Sequence, residues 1–206
     1  MICLFIDTSM ANVSISIIRD NEIVSLIQRE VLNMHSAYVT KFVKDAIDNA
    51  SIDANSIDNI MVVNGPGSFT GVRIGVTIAK TYGYLINKDI IPISSLKSLA
   101  ISSNHNGVVM SVIAANKNSY YVGLYDKDLN ELSCEKCMNR DEVISLCNQY
   151  NPYIVSNDSN VLGKYKFHKQ VLDISKVVMY YKDMPKVNYH VLLPNYLKLP
   201  QALEGK

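Results

Sequence analysis

The chain has 206 residues, of which 48% are hydrophobic and 19% charged, enough to bury real cores either as one large domain or as two lobes of roughly 100 residues each. A formal net charge of +1 supplies no overall field for drawing in nucleic acid or a membrane surface, no apolar run approaches the roughly 20 residues that span a bilayer, and the N-terminus does not resemble a signal peptide. The expected location is the cytosol, with the four cysteines as reduced thiols: Cys134 and Cys137 have the spacing of half a zinc site, but neither Cys3 nor Cys147 completes it.

Residues 2–6, 13–17 and 22–30 are short apolar or alternating runs and predict a three-strand meander. Asp7 ends the first strand and is followed by Thr8 and Ser9. Residues of these types either hydrogen-bond the turn they sit in or contact a phosphate or a metal-bound water. Val39, Phe42, Val43, Ala46, Ile47 and Ala50 then recur at helical spacing, which predicts an amphipathic helix over 36–50 with Ser36 as its cap. Residues 51–59 read as a polar linker and 60–63 as a strand.

The stretch from 64 to 87, NGPGSFTGVRIGVTIAKTYGYLIN, holds five of the nine glycines. Pro66 between Gly65 and Gly67 predicts a tight turn, and Ser68 is placed to cap a helix over 68–86. Within that helix Gly71, Gly75, Ala79 and Gly83 recur every four residues. Each glycine costs about 1 kcal/mol relative to alanine in a helix interior, so the stripe, which lets another backbone come close, should lie against a sheet, a partner helix or a ligand. The rows Phe69-Val72-Val76 and Ile74-Ile78-Leu85 are large and apolar, leaving only Arg73, Thr77, Lys80 and Tyr84 as a polar row. A phosphate-binding loop is excluded because Val72 and Arg73 follow Gly71 where Lys-Ser/Thr is required, and a dinucleotide fingerprint because Thr70 stands in place of its third glycine.

After a strand at 90–93 the pattern repeats in weaker form, with strands at 108–114, 120–126 and 131–136, a helix at 141–149 and a further strand at 152–155. Residues 163–169 begin a lysine-rich tract containing Lys164, Lys166, Lys169, Lys176, Lys182 and Lys186 with Tyr165, Phe167, Tyr180 and Tyr181 between them. Such a tract could contact RNA, but the reading favoured here is a solvated surface over half-buried tyrosines. The second half has only scattered glycines, so no second phosphate loop can be built, and this favours the turn reading of Asp7, Thr8 and Ser9. His35, His105, His168 and His190 include no pair at ligand spacing, and no metal or cofactor is expected.

The segment GPGSFTGVRIG at 65–75, followed by Ala79 and Lys80, resembles the signature of the TsaB (YeaZ) family. The resemblance extends through IDTS at 6–9, His35-Ser36, residues 92–96 and LPNYLKLPQALE near the end. It implies an α/β actin/Hsp70/sugar-kinase-like (ASKHA) fold of two lobes, each a mixed sheet with helices and the second reduced, in agreement with the β-β-β-α-β-α-β order. The lobes are expected at 1–99, with the tail 190–206 returning to it, and at 100–189. The resemblance further implies a non-catalytic partner subunit in tRNA threonylcarbamoyladenosine formation, binding the TsaD transferase and joined by the ATPase TsaE. It would reach tRNA through that complex and form a homodimer when alone. The partner contact is expected on His35, Ser36, Val39, Phe42, Val43, Phe69, Gly71, Val72, Arg73, Gly75, Val76 and Ala79. TsaD holds a metal with two histidines four residues apart, whereas here His35 is followed at that distance by Val39. Ala114-Ala115-Asn116 stands where many relatives carry Asp-Ala-Arg, and Lys198 where they carry arginine, so contacts made by those charged groups do not carry over. Two rival classes are a small actin-like ATPase or transferase with Asp7 in its active site, and a stand-alone RNA-binding homodimer.

Overall fold

A computed structural model describes residues 1–31, 36–116, 119–157, 165 and 167–198. Strands β1 (Ile2–Asp7), β2 (Asn12–Arg19) and β3 (Glu22–Glu30) form the expected meander, followed by α1 (Ser36–Asn49), β4 (Asn59–Gly65), α2 (Phe69–Leu85) and β5 (Ile90–Ser94). Their sheet has the order β3-β2-β1-β4-β5, with β1 antiparallel to β2 and parallel to β4. A central strand covered on both faces must be apolar throughout, and Cys3, Leu4, Phe5 and Ile6 are all fully buried. The edge strand β3 buries little beyond Ser25 and exposes Ile23, Val24 and Leu26.

Helix α1 lies on β2 and β3 and buries Val39, Val43, Ala46 and Ile47, the i, i+4, i+7, i+8 face of its periodic pattern. Helix α2 lies on β1 and β4. The presumed linker at 51–59 contains a 3-10 turn at Ala54–Ser56, capped by the Asp53 carboxylate, which accepts from the Asn55 N–H at 2.9 Å.

A second sheet repeats the first. Strands β6 (Val109–Asn116), β7 (Ser119–Tyr125) and β8 (Glu131–Asn139) form a meander, α4 (Arg140–Tyr150) follows, and β9 (Tyr153–Ser156) and the two-residue β10 (His168–Lys169) complete the order β10-β9-β6-β7-β8. Read from its other edge this is the 3-2-1-4-5 order of the first sheet, with the same parallel and antiparallel pairings. The fold is therefore a duplicated, two-lobe actin-like one, each lobe a mixed sheet with helices. Helix α4 carries a full capping box: the Asn139 side chain accepts from the Asp141 and Glu142 N–H groups, and the Glu142 carboxylate accepts from the Asn139 N–H at 2.7 Å. Met110, Val112, Val122, Leu124, Val143 and Ile154 form this unit's own core.

Two helices depart from the sequence reading, α3 (Ser95–Ser102) and α5 (Ile174–Tyr181). The latter lies in the lysine-rich tract read as solvated surface, yet Ile174, Val177, Val178 and Tyr181 are buried at i, i+3, i+4, i+7 spacing. The chain divides into one compact unit of Met1–Ser94 with Ser175–Asn195 and another built on Ser95–Ile174. The segment 175–189 thus falls in the first unit, where the sequence reading put it in the second, and of the tail expected to return to the first unit only the part up to Asn195 does so.

Candidate functional site

The turn between β4 and α2 is built against the end of β1 and the C-terminal tail. Gly65 has φ of +124°, a conformation that favours glycine, and an added Cβ there would lie 2.6 Å from the Asn195 carbonyl oxygen. The Asn195 N–H in turn donates to the Asn64 carbonyl at 2.7 Å, and the Asn64 side chain donates to the Leu193 carbonyl at 3.1 Å. Ser68 caps α2, its hydroxyl accepting from the Gly71 N–H at 3.3 Å.

The glycine stripe is filled from within. A Cβ on Gly71 would collide with the Thr8 carbonyl oxygen, and one on Gly75 with the Thr8 hydroxyl, which donates to the Gly71 carbonyl at 2.7 Å. The backbone that comes unusually close to α2 is therefore the end of β1. Ser9 completes the contact by accepting from the Ser68 N–H at 2.7 Å. Buried Asp7 accepts through Oδ1 from the Ser9 N–H at 2.8 Å and from the Ser9 hydroxyl at 2.7 Å. Burial pushes the Asp7 carboxyl above its ordinary value, and the two hydrogen bonds from Ser9 oppose that rise. Asp7, Thr8 and Ser9, for which the sequence left a turn or a phosphate or metal-water contact as alternatives, have their hydroxyls and one carboxylate oxygen engaged in hydrogen bonds within the chain.

The residues expected at a partner contact separate into two sets. Val39, Val43, Gly71, Val72, Gly75, Val76 and Ala79 are buried within the chain, because the row opposite α1 and the sheet already fills their side of each helix. Ser36 and Arg73 are exposed, Phe69 is 40% exposed and Phe42 is half-buried. The Arg73 guanidinium lies over the Phe69 ring, 4.7 Å from its centroid. His35 lies outside the described residues. Sequence reasoning missed Tyr38, which is 53% exposed four residues before Phe42 and so on its side of α1. It also left Lys80 without a role, although the matched Ala79-Lys80 pair marked it: the ammonium donates to the His190 carbonyl at 3.2 Å and the Leu192 carbonyl at 3.1 Å, tying the tail to α2.

The remaining candidates do not converge. Among the described residues no group of three histidine, cysteine or carboxylate side chains is placed to hold a metal. All four cysteines are free, and burial pushes the Cys3 thiol up to about 12. Asn116, at the end of β6, accepts from the Ser119 hydroxyl at the start of β7 at 2.7 Å.

A protein-family model described as TsaD, tRNA N6-adenosine threonylcarbamoyltransferase, matches residues 29–179. The tRNA threonylcarbamoyladenosine biosynthesis protein TsaB of Bacillus subtilis (strain 168) is 26% identical over 98% of this chain and 96% of its own length. The chain belongs to the TsaB (YeaZ) family, within the wider family of that transferase. The tRNA N6-adenosine threonylcarbamoyltransferase of Malacoplasma penetrans (strain HF-2) is 27% identical over 70% of this chain and 52% of that protein. In three dimensions, YeaZ from Pseudomonas aeruginosa superimposes with a TM-score of 0.80, covering 95% of this chain and 99% of that one at 19% identity, which establishes the shared fold. None of the described helices is long and apolar enough to cross a membrane.

Proposed function

We propose that this chain is a non-catalytic partner subunit in the formation of threonylcarbamoyladenosine on tRNA. It docks on a TsaD-type transferase through the outward side of α1 and α2, with a TsaE-type ATPase joining the pair and tRNA reached through the complex. When alone it pairs with a second copy through the same side. Family membership and the names of the relatives support the pathway. The observation that carries the docking side is that the inner rows of both helices are filled by the chain's own core, while Tyr38 and Phe69 remain exposed with Arg73 beside the latter. The buried Val39, Val43, Gly71, Val72, Gly75, Val76 and Ala79 hold the helices from inside, so the contact itself falls to Ser36, Tyr38, Phe42, Phe69 and Arg73. A stable contact of this kind buries about 1,200 to 2,000 Å² in total. Engagement of Thr8 and Ser9 in the turn supports the non-catalytic part of the reading.

Titration of the cognate transferase subunit onto the purified chain tests it. Phe69→Ala combined with Arg73→Glu is expected to weaken binding by about a hundredfold, since an aromatic and an arginine at the centre of an interface each contribute about 1 to 2 kcal/mol, with the melting temperature unchanged. Binding within twofold of wild type would refute the docking side. ATP turnover by the isolated chain that disappears in Asp7→Ala would refute the non-catalytic reading in favour of an actin-like ATPase.

A further inference from the structure

Beyond Arg73 the outward row of α2 continues through Thr77, Lys80, Thr81 and Tyr84, at the four- and three-residue steps of one helix stripe. With Tyr189 and His190 from the tail these residues line an open groove of about 450 Å³. We propose that this groove receives a carboxylate-bearing side chain of the protein that docks on α1 and α2, extending that contact onto the tail. The proposal rests on the docking reading above.

The lining decides the chemistry of the occupant. It contains a lysine, a histidine, two threonines and two tyrosines, and no carboxylate. The Lys80 ammonium has three N–H donors, and the His190 and Leu192 carbonyls take two of them. Those two bonds fix the ammonium at the groove without neutralising it, so a carboxylate would meet a charge already positioned. The Thr81 hydroxyl is spent on the Thr77 carbonyl at 2.9 Å, whereas the hydroxyls of Thr77 and Tyr84 add donors suited to an anionic oxygen. Asp89, close along the chain, accepts from the Asn188 side chain at 3.1 Å and is not part of the lining.

The walls decide the body that carries the carboxylate. Tyr84, 64% exposed, stands edge-on to Tyr189 at 6.0 Å and to His190 at 6.3 Å, and the Tyr189 and His190 rings lie 4.5 Å apart. Leu85, Val191 and Leu193 are exposed on the same helix end and tail segment. An aromatic wall with apolar neighbours around a cationic floor suits an acidic side chain flanked by apolar ones on a protein segment.

The test measures affinity of the cognate transferase subunit at low and physiological salt for wild type, His190→Glu and Thr77→Arg, with melting temperatures as the folding control. His190→Glu is expected to weaken binding by about tenfold and to flatten its salt dependence, and Thr77→Arg to tighten it by about threefold, as charge changes at an interface rim do. If both variants bind within twofold of wild type while the Phe69 and Arg73 double variant loses binding, the groove proposal fails and the docking reading stands. If wild type itself does not bind, both fail. If millimolar glutamate alone shifts the His190 ring resonances to saturation, the groove belongs to a free ligand and the proposal is overturned.

Discussion

Gly71→Ala tests whether the end of β1, and not a partner, is what the glycine stripe accommodates. The new methyl group would collide with the Thr8 carbonyl oxygen, a backbone atom that can yield only if the turn after β1 moves. Overpacking of this kind costs about 1 to 3 kcal/mol. Movement of the turn also lengthens the hydrogen bond from the Thr8 hydroxyl to the Gly71 carbonyl, now 2.7 Å, worth about 1 kcal/mol. Against these losses, replacing glycine by alanine in a helix gains about 1 kcal/mol. The balance is a loss of about 1 to 3 kcal/mol, or roughly 2 to 12 °C in melting temperature for a chain of this size. Thermal unfolding followed by circular dichroism, with Thr70→Ala on the exposed side of the same turn as control, reads the difference. A Gly71→Ala variant as stable as wild type, or more so, would mean that the β1 end does not press on α2, and the stripe would again need an external occupant.

The spacing of Gly71, Gly75, Ala79 and Gly83 announced a close approach, because only a close approach offsets the cost of three glycines in one helix. It could not say what approached, since Thr8 lies 63 residues from Gly71 and nothing local links them. Elements whose inner and outer sides differ in polarity were legible for the same reason: Val39, Val43, Ala46 and Ile47 mark one side of α1, and the capping residue Ser68 marks where α2 begins, whereas the Asn139 cap of α4 came only from the structure. Helix α3 was not legible because Ser95, Leu96, Ser98, Leu99, Ala100, Ile101 and Ser102 are all buried, so its serines do not mark an outward side. In α5 the period was present, but lysines around it made the tract read as surface. Strand β10, two residues long, is too short to alternate. Within the candidate site, Arg73, Lys80 and Tyr84 could be placed on one polar row from spacing alone. The tail carbonyls that hold Lys80 are 110 and 112 residues away and needed the structure.

Asn139→Ala removes the side-chain acceptor of the α4 capping box, while the backbone N–H at 139 can still donate to Glu142, and is expected to destabilise the second unit by about 1 kcal/mol, read in urea unfolding; Glu142→Gln, which can still accept at the Asn139 N–H, should cost less, and equal losses would refute the reciprocal cap. Leu192→Ala, at a tail residue 2% exposed and packed into the first core, should cost about 2 to 5 kcal/mol, whereas Leu193→Ala on its exposed neighbour should cost less than about 0.5; similar effects would mean that the tail is not seated as described. Asp7→Asn isolates the effect of burying a charge, since the amide oxygen can still accept both hydrogen bonds from Ser9. Because burial raises the folded carboxyl above the ordinary value near 3.8, the folded chain binds the Asp7 proton more tightly than the unfolded chain does. The stability this site contributes is therefore fully present below about pH 3.8 and is lost as pH rises through the raised folded value. Asp7→Asn carries no such titration, so the variant should be at least as stable as wild type at pH 7 and should show a flatter stability profile on the acid side. Chemical unfolding across pH 4 to 8 measures this, and a variant less stable than wild type at pH 7 by more than about 1 kcal/mol would show that the Asp7 charge stabilises the turn, the opposite sign to the one derived from its burial.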